Sequence, residues 1–276
     1  MKHKLLKTKK IAVVFGTFAP MHIGHVDLIT RAKRENDAAL VFVSGTNTKE
    51  DRGTRVGLHL KRRFRYVREV FHDDELVVVD KLDEEGIISE QNGLENWFKI
   101  LHELIKENTD YQFEKITFYI GEEKYQKPLL SYFENVFNDE YLLGKSDTES
   151  SDSIIKKEVG IKIIDKSIIP VSSAEILNKP LAHWRYITKP FRRHFTKKVL
   201  VVGSASGGKT TLIKDLGRIF NAPVSLEYAR YYQGVHNVCD DELDTNDYIR
   251  LFAYQNHQTS NIIDSGSHSG IVFVDT

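Results

Sequence analysis

The chain has 276 residues, with 39 basic and 39 acidic side chains, a length that suggests two domains and a formal net charge of zero. This balance argues against a surface dominated by nucleic-acid binding, although a local basic groove remains compatible with it. The single cysteine, Cys239, fits a reducing cytoplasm. No apolar run approaches the roughly 20 residues of a membrane span. The basic residues 1–10 lack the apolar core of a signal peptide.

The first predicted element is a buried strand at residues 11–15, an apolar run that ends at Gly16. Residues 16–20 interrupt this run as a tight loop, and residues 21–34 have helical spacing. The predicted buried face of that helix consists of Val26, Leu28, Ile29 and Ala32. The chain therefore opens as strand, loop and helix.

Two histidines lie at the start of this helix. His22 and His25 are three residues apart, which places both on one face, near free backbone N–H groups and the positive end of the helix dipole. This arrangement indicates a site for a polyanion, most naturally a nucleotide triphosphate. The alternative is a pair of ordinary surface histidines after an unrelated strand.

Residues 16–25 follow the pattern G-x-F-x-P-x-H-x-G-H, which resembles the nucleotidyltransferase superfamily that carries the (H/T)-x-G-H motif. The resemblance implies that the histidines hold a triphosphate during transfer of a nucleotidyl group. It makes His22 and His25 catalytic and assigns nucleotide binding to Gly16, Thr17, Phe18, His22, His25 and Ser172.

The next elements alternate between strands and helices. Further strands are predicted at residues 38–44, 75–82, 115–121 and 161–169, and helices at 58–72, 95–108 and 125–133, with a helix start at 172–178. Residues 45–57 and 83–94 are predicted as loops, and the polar residues 144–152 as a mobile loop. This order predicts a Rossmann-like α/β fold with a parallel sheet and with ligands beyond the carboxyl ends of the strands.

The helix predicted at residues 58–72 is rich in arginine. Lys61, Arg65 and Arg68 share one of its faces. Two interpretations stay open: contact with substrate phosphates, or a solvated basic face.

A second glycine-rich loop follows a packed link and another buried strand, at residues 198–203. Residues 203–210 read G-x-x-x-x-G-K-T, the Walker A pattern, and an apolar-periodic helix follows. Lys209 is expected to be catalytic and to reach the β- and γ-phosphates, while Thr210 binds Mg²⁺. The predicted phosphate-binding residues are Gly203, Ser206, Gly207, Gly208, Lys209, Thr210 and Thr211. The alternative is a glycine turn that holds no nucleotide.

Two stretches after this loop complete the second candidate site. Residues 270–276 form an apolar strand that resembles a Walker B strand, with Asp275 as a catalytic residue near the Mg²⁺, although many strands end in aspartate. Glu227, Tyr228 and Arg230 follow a short strand and suit a pocket for a second substrate, or else begin a half-buried helix.

The pairing of the two phosphate loops resembles the NadR-type bifunctional enzymes. The stretches KRRFRYVRE, PLAHWRYI, EYARYY and FVDT and the residues Asn92, Gly93 and Trp97 add weaker support. The resemblance implies a nicotinamide-nucleotide adenylyltransferase domain at residues 1–190 and a P-loop ribosylnicotinamide kinase domain at 191–276.

The reactions that this resemblance implies belong to NAD biosynthesis in the cytoplasm. ATP would phosphorylate nicotinamide riboside, and the mononucleotide would then attack the α-phosphorus of a second ATP to give NAD and pyrophosphate. Mg²⁺ is the implied cofactor, and neither nucleic acid nor membrane is an expected partner. Asn92 and Trp97 would bind the nicotinamide nucleotide, with Trp97 stacking on the ring or, alternatively, packing in the core.

The sequence departs from the family pattern in two places. The family's I-S-x-T-x-I-R segment corresponds to residues 171–177, where Ala174 and Leu177 replace the expected Thr and Arg, so a phosphate-binding charge is lost. The chain also ends at Thr276, directly after the Walker B strand, which predicts an incomplete kinase half.

Two other functions stay open on the sequence. One is a single-function adenylyl- or cytidylyltransferase for another phosphorylated metabolite. The other is a nucleotide- or NAD-sensing regulator with degenerate catalytic sites. A homo-oligomer is compatible with either and with the bifunctional enzyme.

Overall fold

The computed structural model describes residues 5–87, 93–146, 155–165 and 167–275. The chain forms two compact units, Met1–Ala174 and Glu175–Thr276. The division comes earlier than the one expected between residues 190 and 191, because residues 181–195 pack within the second unit. There the indole N–H of Trp184 donates to the carbonyl of His268, and the Arg192 guanidinium donates to the carbonyl of Gly266 at 2.7 Å.

A five-stranded parallel sheet forms the centre of the first unit. Its strands are β1 (Lys10–Gly16), β2 (Ala38–Gly45), β3 (Val77–Asp83), β4 (Lys115–Ile120) and β5 (Glu158–Ile163), in the order β3-β2-β1-β4-β5. The apolar runs of β1 and β2 are buried because helices cover both faces of the sheet. The order reverses between β1 and β4, where a doubly wound sheet opens a crevice for ligands.

The described residues of this unit form, wholly or in part, the α-helices α1 (Ile23–Glu35), α2 (Arg52–Arg55), α3 (Leu60–Val70), α4 (Gly93–Asn108), α5 (Gln126–Ser146) and α6 (Ser173–Asn178). Phe98 and Leu101 of α4 and Phe133 of α5 pack on one face of the sheet, against residues such as Phe118. The intervening strand residues face the other side, where α1 and α3 lie.

The second unit contains a smaller parallel sheet. Its strands are β6 (Lys197–Val201), β7 (Val224–Ser225) and β8 (Ile271–Asp275), in the order β6-β8-β7. Four helices accompany them: α7 (Lys189–Phe195), α8 (Lys209–Ile219), α9 (Tyr228–His236) and α10 (Thr245–Asp264). Both sheets are parallel, which confirms the predicted α/β class.

Several predicted boundaries were wrong. The last strand of the first sheet was expected at residues 161–169 but begins at Glu158 and ends at Ile163. The helix expected at 125–133 continues to Ser146, into the predicted mobile loop at 144–152, and residues 147–152 of that loop lie outside the described residues. The polar loop at 45–57 contains the short helix α2, for which Asp51 provides the N-cap.

In the described part of the chain, no helix combines the length and the apolar composition needed to cross a membrane.

Candidate functional site

The two histidines of the first loop form a stacked pair at the start of α1. His22 directly precedes the helix, and its ring centroid lies 3.8 Å from that of His25. The backbone N–H of His22 donates to Nδ1 of His25 at 3.3 Å, so the neutral His25 ring carries its proton on Nε2. The Nδ1 atom of His22 is buried and has no hydrogen-bond partner. The Nδ1 atom of His22 is thus a polar atom that the described residues leave unsatisfied.

Both histidines are uncharged at neutral pH. Burial lowers the pKa of His22 from 6.5 to about 4, and burial together with the neighbouring His22 holds the pKa of His25 well below its usual value. The pair therefore offers neutral N–H donors rather than imidazolium ions. Such donors, close to the positive end of a helix, suit the oxygens of a polyphosphate.

The neighbouring loop residues fix this pair in place. The ring of Phe18, a residue with a φ of +46°, meets the ring of His25 edge-on at 5.1 Å. A Cβ atom at Gly24 would lie 3.1 Å from the ring of His22, so glycine lets that ring lie against the helix backbone. The hydroxyl of Ser173 donates to the carbonyl of Pro20 at 3.0 Å, which brings the residue after Ser172 beside the loop.

The guanidinium of Arg63 connects the loop after β1 with the end of β2 and with the loop that follows β2, a role that the sequence analysis missed. The side chain is 0% exposed and donates to the carbonyls of Thr17 at 2.7 Å and Ser44 at 2.9 Å, and to Asp51 at 2.9 Å. The signal was present in the sequence, because Arg63 falls on the apolar stripe that Leu60 and Val67 define on α3. The exposed Lys61, Arg65 and Arg68 lie on the solvated part of the same helix.

A cavity of about 790 Å³ opens beside Gly16 and Thr17, where the strand order reverses. Its walls come from the carboxyl ends of β1, β2 and β4 and from the start of α4. Trp97 of α4 lines it, meets Phe15 edge-on at 4.9 Å and donates its indole N–H to Glu84 at 2.9 Å. The structure thus brings Gly16, Thr17 and Trp97 to one cavity, while Asn92 lies outside the described residues.

The Walker A residues of the second unit form a loop between β6 and α8. The ammonium of Lys209 donates to the carbonyls of Gly203 and Ser204 at 2.9 and 3.0 Å. Ser206 and Gly208 adopt positive φ angles of +59° and +76°, Gly207 lies between them, and Thr211 is in the first turn of α8. The positive φ angles and the start of α8 directly after Gly208 are the backbone features typical of a phosphate-binding loop.

Asp275 lies where a Mg²⁺ ligand is expected. It is 1% exposed at the end of β8, its Oδ2 accepts a hydrogen bond from the hydroxyl of Thr210 at 2.6 Å, and its Oδ1 is buried without a partner. A hydroxyl, a carboxylate and phosphate oxygens are ligands that Mg²⁺ prefers, so these two residues fit the ion. Among the described residues, no group of three or more His, Cys, Asp or Glu is placed to hold a metal by itself.

The predicted riboside-binding residues lie at the start of α9. Glu227 accepts from the Arg230 guanidinium at 2.9 Å, one turn apart. The backbone N–H of Tyr228 donates to the side chain of Gln255 at 2.7 Å, and its ring stacks on Tyr254 with centroids 5.0 Å apart. The three residues thus form one surface with α10, in which the charge of Arg230 is already paired.

Comparison with known families gives a match to the cytidylyltransferase-like family over residues 13–179. Among curated proteins, the trifunctional NAD biosynthesis/regulator protein NadR of Salmonella typhimurium is 25% identical over 256 residues, which are 89% of this chain and 55% of that protein. NadR of Escherichia coli is 24% identical over 253 residues, 88% of this chain and 55% of the relative. The chain thus spans about half the length of the curated relatives it matches.

Two crystal structures resemble nearly the whole chain. NadR protein in complex with NR is 40% identical, with a TM-score of 0.84 over 99% of this chain and 69% of that one. NadR protein in complex with NAD and AMP-PNP is 39% identical, with a TM-score of 0.83 over 99% of this chain and 71% of that one.

Proposed function

Since the chain belongs to the cytidylyltransferase-like family and to the NadR-type proteins within it, we propose that its first unit makes NAD by adenylyl transfer from ATP to nicotinamide mononucleotide. The observation that carries this proposal is the stacked pair of His22 and His25 beside the cavity-lining residues Gly16 and Thr17. The family's solved members with NR and with NAD and AMP-PNP support the choice of nucleotides.

In this step the protein mainly positions the two substrates and stabilises the charge that develops on the phosphates. A phosphate oxygen of the mononucleotide attacks the α-phosphorus of ATP, a new P–O bond forms, and the bond to the β-phosphate breaks to release pyrophosphate. The attacking phosphate is already an anion, so no side-chain nucleophile is needed. His22 and His25 donate hydrogen bonds to phosphate oxygens as charge shifts toward the leaving pyrophosphate. Trp97 supplies an aromatic wall for the nicotinamide ring.

We propose that the second unit binds ATP for transfer of its γ-phosphoryl group to nicotinamide riboside. The oxygen of the riboside 5′-hydroxyl would attack the γ-phosphorus and lose its proton to solvent, while the bond from that phosphorus to the bridging oxygen breaks and ADP leaves. Lys209 and the loop N–H groups would hold the phosphates, and Thr210 and Asp275 would hold Mg²⁺, which supplies charge neutralisation when bound. Glu227, Tyr228 and Arg230 would contact the riboside. We assign the adenylyltransferase to the first unit and the kinase to the second, with the boundary between residues 174 and 175 in place of the predicted one between 190 and 191, and both to a cytoplasmic setting that suits the free thiol of Cys239.

Product analysis by mass spectrometry tests both proposals. The chain is incubated with ATP and Mg²⁺ plus nicotinamide riboside, nicotinamide mononucleotide or 4′-phosphopantetheine. The last acceptor is included because a phosphopantetheine adenylyltransferase of Kocuria rhizophila is 39% identical over 79 residues. NAD formed from the mononucleotide supports the first proposal, and mononucleotide formed from the riboside supports the second. Adenylylation of phosphopantetheine alone would refute the first.

A further inference from the structure

The interior of the cavity beside Gly16 carries negative charge. None of its described lining residues is a lysine, an arginine or a histidine, whereas two are glutamates, Glu84 and Glu122. Glu122 is exposed and pairs with the Lys124 ammonium at 2.6 Å. The half-buried Glu84 therefore sets the charge that a ligand meets inside the cavity.

The carboxyl group of Glu84 is held in one position. Its backbone N–H donates to the carbonyl of Gly45 at 3.0 Å, and one carboxylate oxygen accepts from the indole of Trp97 at 2.9 Å. The hydroxyl of Ser44 is its other side-chain partner. A carboxylate has about four acceptor positions, so Glu84 keeps acceptor capacity for a ligand after these two bonds.

Four groups around Glu84 determine its charge state. Trp97 of α4, Ser44 of β2 and the Arg63 guanidinium of α3 favour the carboxylate, whereas Asp51, just before α2, and burial raise the pKa of Glu84 above the usual value. Burial is the largest of these influences. The guanidinium of Arg63 already donates to Asp51 and to two backbone carbonyls. It therefore neutralises little of the negative charge of Glu84.

Nicotinamide mononucleotide and nicotinate mononucleotide differ in the single group that this carboxylate would meet. Both carry a cationic pyridinium ring, which an acidic cavity favours. The carboxamide has an NH₂ group that can donate to a carboxylate, whereas the nicotinate carboxylate is an anion that can only accept. We propose that Glu84 is a specificity-determining residue that selects the carboxamide nucleotide and rejects the carboxylate nucleotide. This inference rests on the proposed adenylyl transfer.

The test compares kcat/KM for the two mononucleotides in the wild type, in Glu84→Gln and in a matched control, Glu85→Gln. Glutamine keeps an acceptor for Trp97, removes the negative charge and offers an N–H to a carboxylate. The preference for the amide substrate should fall at least about tenfold in Glu84→Gln, by an order of magnitude typical of a lost charge contact. The exposed Glu85, which does not line the cavity, should leave the preference unchanged when it is replaced.

A pH series in the wild type gives an independent readout that does not depend on how the variant folds. Because burial raises the pKa of Glu84, this carboxyl takes up its proton at a higher pH than an exposed one, so the ratio of kcat/KM for the amide to that for the carboxylate substrate should fall as the pH is lowered. Ionisation of the ribose phosphate is common to both substrates and cancels in the ratio. In Glu84→Gln the ratio should stay flat with pH.

The outcomes separate this inference from the function on which it rests. A wild type that forms no NAD from nicotinamide mononucleotide refutes the proposed function and, with it, the role of Glu84. A wild type that adenylylates both mononucleotides equally at pH 8 refutes the role of Glu84 alone. So does a Glu84→Gln variant that keeps the full amide preference, or a wild-type preference that does not change with pH.

Discussion

The stacked histidines are neutral groups at the site for which we propose polyphosphate binding. His22 and His25 act as a unit, since the backbone N–H of one fixes the tautomer of the other. The G-x-F-x-P-x-H-x-G-H spacing predicted their position at the helix start. It could not predict their charge state, which depends on burial by residues distant in sequence.

Replacing either histidine by alanine should lower the turnover of adenylyl transfer by about 10², the usual effect of removing a transition-state hydrogen-bond donor. Steady-state kinetics of NAD formation measures this effect, with His72→Ala as the control because His72 is exposed on the surface. Wild-type turnover in both single variants would contradict the assignment of the pair.

The low pKa of His22 should make the first unit less stable in acid. The unfolded state takes up a proton near pH 6.5, while the folded state resists it until about pH 4. Stability is therefore complete above pH 6.5 and is lost as the pH falls toward 4, by about 3 kcal/mol for this group. Urea unfolding at pH 7 and 4.5 should show a larger loss in the wild type than in His22→Asn. Equal losses in the two proteins would argue against a buried neutral ring.

Arg63 shows, at the level of the elements, how one helix residue can hold together the segments that follow two neighbouring strands, β1 and β2. Removing the guanidinium in Arg63→Met would leave Asp51 and the carbonyls of Thr17 and Ser44 short of a buried donor. We expect the free energy of unfolding to fall by about 3 kcal/mol, since a broken buried ion pair leaves an uncompensated charge. Denaturant unfolding measures this change. The exposed neighbour gives the control, Arg62→Met, which should stay within about 0.5 kcal/mol of the wild type.

The Walker A loop should bind ATP separately from the histidine site. Lys209→Ala should remove one ATP-binding site while sparing adenylyl transfer, because the two loops belong to different units. Calorimetric titration of the variant, the parent and the exposed control Lys214→Ala counts the sites. An unchanged number in Lys209→Ala would show that the loop does not bind ATP.

The bounds of the helices and strands were predicted most accurately where the hydrophobic pattern of the segment was strongest. The strands near residues 11 and 38 were placed to within a residue or so, because both of their faces are apolar. β5 was misplaced because it is an edge strand with polar residues, such as Glu158 and Lys162, and its pairing with β4 is a tertiary effect. The length of α5 was missed although its apolar spacing continues past residue 133, where Phe137 is buried in the core and Val136 packs against it. The cavity and the position of Glu84 could not be predicted, because they arise where separate strands end together.

The two units of the whole molecule differ in how much apolar surface they expose. In the second unit, large side chains such as Val202, Ile219 and Phe252 lie open, the last with 76% of its surface exposed. Patches of this kind favour association and weaken a fold. We therefore expect calorimetric heating to give two transitions, with the second unit unfolding first. The substitution Phe252→Ser puts a polar side chain at this exposed position, so association measured by sedimentation should decrease. The temperature of the higher unfolding transition should not change. A single cooperative transition would contradict this expectation.

Ionic strength should distinguish the two proposed nucleotide sites of this one chain. Dissolved salt screens charges, but it leaves short hydrogen bonds from neutral donors almost untouched. The uncharged pair His22 and His25 therefore adds little salt dependence to polyphosphate binding, whereas the ammonium of Lys209 adds a strongly screened attraction. As salt rises, ATP should leave the glycine-rich loop first and remain longer beside the histidines.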